Sequence, residues 1–145
     1  MNGTGTVEAI HLAPESGADV ESVGAVEALA GRGLRGDRHF GDGGGGLTLI
    51  ESEALAAAER DGFELRDGRH RRNVTTSDAA LNHLVGERFR VGDVVCEGVE
   101  LCEPCRHLES LTRDGVVSEL LHRGGLRADV VESGTLERGD EIEPL

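Results

Sequence analysis

The chain has no tryptophan, no tyrosine and only three phenylalanines among 145 residues, so its core must be assembled from Val, Leu, Ile and Ala. It also has no lysine: all fifteen basic residues are arginine, set against 28 acidic residues for a net charge of −13. A backbone binder of nucleic acid needs a basic face, so this balance argues against DNA or RNA as a partner. An acidic, lysine-free surface points instead to a halophilic protein working in a high-salt cytoplasm. There the Debye length falls to about 3 Å and self-repulsion is screened. No run of eighteen apolar residues is present, so no membrane span is expected. Met1 to Thr6 has neither a basic stretch nor an apolar one, so no signal peptide is expected and the reading is cytoplasmic. Three cysteines, an odd number, in a chain read this way argue against a disulfide framework.

The length suits one domain with a real core, and neither an internal repeat nor a dividing linker is visible, so residues 1–145 are read as a single domain. Alternation predicts a strand over Thr6–Leu12, with Val7, Ala9 and His11 on one side, and another over Val20–Ala30. Gly31–Gly46 is glycine-rich and reads as loop. A strand at Leu47–Ile50 precedes the clearest helix, Ser52–Asp61, which Gly62 stops and whose start Glu51 and Glu53 favour. Asn73–Thr76 is strand-like, and Asp78–Leu84 reads as a short helix capped by Asp78. Glu87–Val91 turns through Gly92-Asp93 into Val94–Leu101. Helices are expected at Pro104–Leu111 and Val116–His122, then strands at Leu126–Val131 and Glu141–Glu143. Many short strands with Gly-Asp turns and few helices predict a mainly β fold, a closed or nearly closed β-barrel with a few short peripheral helices.

Three constellations carry chemistry. Cys102-Glu103-Pro104-Cys105-Arg106 sets a thiol pair at C-x-x-C spacing beside a guanidinium, which favours the thiolate. Cys105 is the candidate nucleophile, sulfur carrier or metal ligand, with Cys102 as helper or bystander. The competing reading is a buried pair or half of a structural zinc site, for which the fourth ligand has no obvious source. Cys96, in a strand pattern, reads as a core residue. Gly31-Arg32-Gly33-Leu34-Arg35-Gly36 spells G-x-G-x-x-G, but no helix can open after it, so a dinucleotide fold is rejected. What remains is a turn presenting Asp37, Arg38 and His39. Finally, Arg66, Arg69, Arg71 and Arg72 fall within seven residues and lead into Asn73. They read either as an anion site or as surface arginines paired with Asp61, Glu64 and Asp67.

In this order, Gly33-Leu34-Arg35-Gly36-Asp37-Arg38, Leu49-Ile50-Glu51, Arg72-Asn73-Val74-Thr75, Val91-Gly92-Asp93, Cys102-Glu103-Pro104-Cys105, Gly124-Gly125-Leu126-Arg127-Ala128 and Gly139-Asp140 resemble the MOSC domain. This is the C-terminal domain of molybdenum cofactor sulfurases. The resemblance implies a β-barrel that handles sulfur or binds the molybdenum cofactor (molybdopterin), either as a sulfurtransferase-like protein or as a reductase of N-hydroxylated compounds. It implies Cys105 as the thiolate that accepts sulfur or ligates molybdenum, with Cys102 beside it. Arg72, Asn73, Asp37, Arg38, Arg71 and Arg106 would surround pterin and phosphate, with Arg123 or Arg127 keeping the site positive. A non-catalytic module delivering cofactor to another enzyme is the alternative. Without a lysine the chain cannot form a pyridoxal phosphate aldimine, so the expected partners are a separate cysteine desulfurase or a redox protein.

Overall fold

The alternating strands close on themselves. A computed structural model describes residues 5–14, 20–38, 40–41, 46–63, 71–102 and 124–145. Its elements are β1 (Gly5–Leu12), β2 (Glu21–Val23), β3 (Ala25–Leu29), β4 (Gly33–Leu34), β5 (Gly46–Glu51), α1 (Ser52–Arg60), β6 (Val74–Ser77), β7 (Arg88–Val91), β8 (Val94–Leu101), β9 (Leu126–Glu132), β10 (Gly134–Glu137) and β11 (Glu141–Pro144). The order β11-β7-β8-β9-β5-β6-β1 returns to β11 through Gly5↔Ile142 and Thr6↔Glu141, giving a closed β-barrel of seven strands. β2 adds to the far end of β1, and β10-β3-β4 forms a separate three-stranded sheet. The protein is mainly β, as its turn-punctuated alternation predicts.

One pair in the ring is parallel, β5 with β6. Parallel neighbours need a crossover, and α1 supplies it. The helix packs Leu55 and Ala58 against Ile50, with Phe63 beside them. Inside the barrel, Phe89 is fully buried among Val, Leu and Ile side chains. β9 shows the period-two logic plainly: Leu126, Ala128 and Val130 are buried, while Arg127 is exposed and Asp129 half-buried on the other face.

Four local expectations change. A register shift between Val7 and Ala9 breaks the face expected in β1, so that Val7 and Ile10 enter the core. The run Val20–Ala30 divides at Gly24, one part joining the barrel and the other the small sheet. Within the expected loop, Gly33–Leu34 pairs with β3. Asp78 does not cap a helix: its φ is 59° and its N–H donates to Glu53 Oε2 at 2.9 Å. The helix shrinks to a 3-10 turn at Leu81–Leu84, whose Leu81 N–H meets Glu51 Oε2 at 3.3 Å. The helices expected at Pro104–Leu111 and Val116–His122 lie outside the described residues. No helix among the described residues is long and apolar enough to cross a membrane.

Candidate functional site

A cavity of about 320 Å³ gathers residues from seven separate stretches of chain. The register explains much of its wall. Thr48 stands opposite Arg127, and Gly46 opposite Asp129, on the β5–β9 pair. His11 leaves the end of β1, Arg71, Arg72 and Asn73 lead into β6, and Cys102 follows β8. Asp37 and Arg38 come from the turn after β4. That turn is tied down by backbone bonds: Arg38 N–H donates to the Ala13 carbonyl at 2.9 Å and Phe40 N–H to the Asp37 carbonyl at 3.0 Å. Phe40 lies under two guanidiniums, Arg32 at 4.9 Å and Arg35 at 5.6 Å from the ring centre.

Asn73 is the hub. It is 9% exposed. Its Oδ1 accepts from the Thr48 N–H at 3.0 Å and from Thr48 Oγ1 at 3.2 Å. Its Nδ2 donates to the His11 carbonyl at 3.1 Å and to Asp37 Oδ1 at 3.3 Å. Asp37 Oδ1 also accepts from the Ala13 N–H at 3.0 Å. One amide thus joins β1, β5 and the β4 turn. A buried carboxylate receiving two N–H groups is held in place rather than left to rotate. Arg72 is equally buried and donates from Nε to the Gly124 carbonyl at 2.8 Å and from a terminal nitrogen to the Cys102 carbonyl at 3.1 Å. Arg71, just before it, sits at φ 63°, a left-handed conformation that costs a non-glycine residue about 1–2 kcal/mol. Strain of this kind collects at functional sites.

Charge is sorted against the bulk of the molecule. Four arginines (Arg38, Arg71, Arg72 and Arg127) line the cavity with two aspartates, Asp37 and Asp129, in a protein of net charge −13. Of the residues singled out in the sequence, Asp37, Arg38, Arg71, Arg72, Asn73, Cys102 and Arg127 meet here. Cys105, Arg106, Arg66, Arg69, Arg123, His39 and His70 lie outside the described residues. Thr48 and Asp129 carried no signal of their own, though strand pairing with Arg127's face would have located both. Among the described residues no three His, Cys, Asp or Glu side chains are grouped to hold a metal. Cys96 does not line the cavity: it is fully buried, and burial first, then the charge of Asp129, pushes its thiol up to about 12.

A seven-stranded barrel with Cys102 on the wall of an arginine-rich cavity defines a class, and the sequence supports it: the MOSC domain model matches residues 35–143. The chain therefore belongs to the MOSC domain family. Among solved structures, the YuaD protein from Bacillus subtilis superposes with a TM-score of 0.79 at 19% identity, over 97% of this chain and 95% of that one. YiiM from Geobacillus stearothermophilus gives 0.72 at 15% identity, over 97% and 75%. YiiM from Escherichia coli gives 0.68 at 16%, over 97% and 69%. No curated protein is a significant sequence match.

Proposed function

We propose that the cavity binds the molybdenum cofactor by its phosphorylated pterin and that the Cys102-x-x-Cys105 pair provides the thiolate that serves it. The observation supporting this reading is the convergence of four arginines, Asp37, Asn73 and Cys102 on one hollow of an otherwise acidic protein. The residues suit the group. Guanidiniums pair with phosphate through charge-assisted forks, the Asp37 carboxylate that Asn73 holds in place can accept from a flat heterocycle, and a thiolate is a soft ligand for a heavy metal. The cavity volume of about 320 Å³ falls within the range of small-molecule sites, roughly 300–1,000 Å³.

When bound, the cofactor would supply two-electron chemistry suited to reducing an N-hydroxylated compound, or a centre to which sulfur is delivered. The chain's own part is narrower. Arg38, Arg71 and Arg127 hold an anion and, with Arg106, keep the thiol ionised. Asn73 keeps Asp37 from turning away. Cys105 carries the sulfur or the metal bond, with Cys102 at the cavity wall. Sulfur would come from a desulfurase active site outside these 145 residues, since the chain has no lysine.

The test is expression in a cofactor-producing host, followed by assay of molybdenum and phosphorylated pterin in the purified protein. The unmodified protein is expected to retain both, Arg127→Gln to lose most of the pterin, and Cys105→Ala to lose metal or persulfide more than Cys102→Ala does. Folded protein carrying neither molybdenum nor pterin refutes the assignment. Loaded protein that reduces no N-hydroxylated compound with an electron donor present favours cofactor delivery over catalysis.

A further inference from the structure

Arg72 touches both flanks of one stretch of chain. Residues 103–123 lie in sequence between β8 and β9. The Cys102 carbonyl precedes them and the Gly124 carbonyl follows them, and the Arg72 guanidinium donates to both, at 3.1 and 2.8 Å. A third bond completes the rung: Cys102 N–H donates to the Gly125 carbonyl at 2.7 Å. These bonds extend the β8–β9 ladder past its last register pair, Leu101↔Leu126. A guanidinium is a rigid plane, so two carbonyls bound to one fork are held at a fixed separation. Glycine is required here, because a Cβ at Gly125 would strike the Leu49 carbonyl. Arg38 and Arg127, by contrast, are exposed.

We propose that Arg72 is a positioning residue: by clasping the Cys102 and Gly124 carbonyls it fixes where Cys102 stands on the cavity wall, while Arg38 and Arg127 meet the incoming anion. The inference rests on the cavity being the functional site. It reassigns Arg72 from ligand contact to holding Cys102 in place. Its charge is secondary, and its shape is what matters.

The experiment compares alkylation of Cys102 by neutral iodoacetamide and anionic iodoacetate, read by mass spectrometry in a Cys105→Ser background. Cys96 is fully buried there and does not compete. Arg72→Lys keeps the charge and loses the fork, whereas Arg72→Gln loses the charge. A clasp predicts that both variants change the iodoacetamide rate alike, by about tenfold or more, the scale of one lost hydrogen bond to a charged group. A wild-type rate in Arg72→Lys, with only the iodoacetate rate reduced in Arg72→Gln, overturns the inference. The unmutated protein gives a second reading that survives any folding defect. In a titration with inorganic phosphate followed by arginine Nε–H resonances, the Arg72 signal should exchange slowly with solvent and stay in place while Arg38 or Arg127 moves. An Arg72 signal that moves with them overturns the clasp. If no arginine responds to phosphate, the proposed function fails, and the alkylation rates still decide the role of Arg72.

Discussion

Asn73→Asp exchanges one NH2 for an oxygen at constant size and tests the wiring of the cavity at a single atom. In the native protein Nδ2 donates to the His11 carbonyl at 3.1 Å and to Asp37 Oδ1 at 3.3 Å. In the variant both contacts become oxygen against oxygen. Two unit charges at 3.3 Å repel by about 5 kcal/mol at an effective dielectric near 20. The abandoned His11 acceptor adds about 1–3 kcal/mol. The sum rivals the roughly 5–15 kcal/mol that holds an ordinary domain together. Urea denaturation followed by circular dichroism should therefore show Asn73→Asp largely unfolded at neutral pH. The sign of its pH dependence follows. Two close carboxylates raise their shared folded-state pKa above the unfolded value, so the defect is greatest at high pH and is relieved as pH falls through that raised value. Adding Asp37→Asn removes the charge repulsion while its oxygen keeps the bond from the Ala13 N–H, and should recover about 2 kcal/mol or more of coupling. If Asn73→Asp matched the wild-type midpoint at pH 7 and the second change recovered nothing, Asn73 would not bridge to Asp37 and the hub would be wrong.

Four further outcomes are expected. Gly125→Ala, at φ 112° and facing the Leu49 carbonyl, should cost about 3 kcal/mol or more in chemical denaturation. Cys96 has its thiol raised from 9.0 to about 12, so the unfolded chain ionises first, and stability should fall by up to about 1.4 kcal/mol per pH unit between those values. Cys96→Ala, though less stable throughout, should lose that slope. Glu51 is raised by burial, against the opposing bond from Leu81 N–H, so Glu51→Gln should gain stability at pH 7 and lose that advantage below the ordinary carboxylate range. The thermal midpoint should climb from dilute to molar potassium chloride as screening relieves a net charge of −13; a flat response removes the high-salt reading.

Alternation made the barrel legible. β8 and α1 fall within a residue of where their patterns place them, because each sits half on the core and half on solvent. Pairing across long distances left no trace in the pattern. The run around Gly24 is one apolar stretch that serves two sheets, and only the partners, β1 for one part and β10 for the other, separate them. β10 was missed because Gly134–Glu137 has a single buried apolar residue, Leu136. Asp78 had the right residue type for a cap and lost its N–H to a glutamate 25 positions earlier. In the site, the residue types Arg, Asn, Asp and Cys were visible, but their division of labour was not. Arg72 reads in sequence like Arg71, and what marks it is two carbonyl groups, one just after β8 and one just before β9.

The seam between β1 and β11 sets an order for folding. β1 finds β6 once residue 77 exists and β2 meets the far end of its other edge, but at the near end that edge waits for residues 141 and 142, the most distant partners in the barrel. Closure over so long a loop is the slow, entropically expensive step. During synthesis the Asn73 amide can therefore bind the His11 carbonyl while the barrel still stands open, so one wall of the cavity is framed before the ring is sealed.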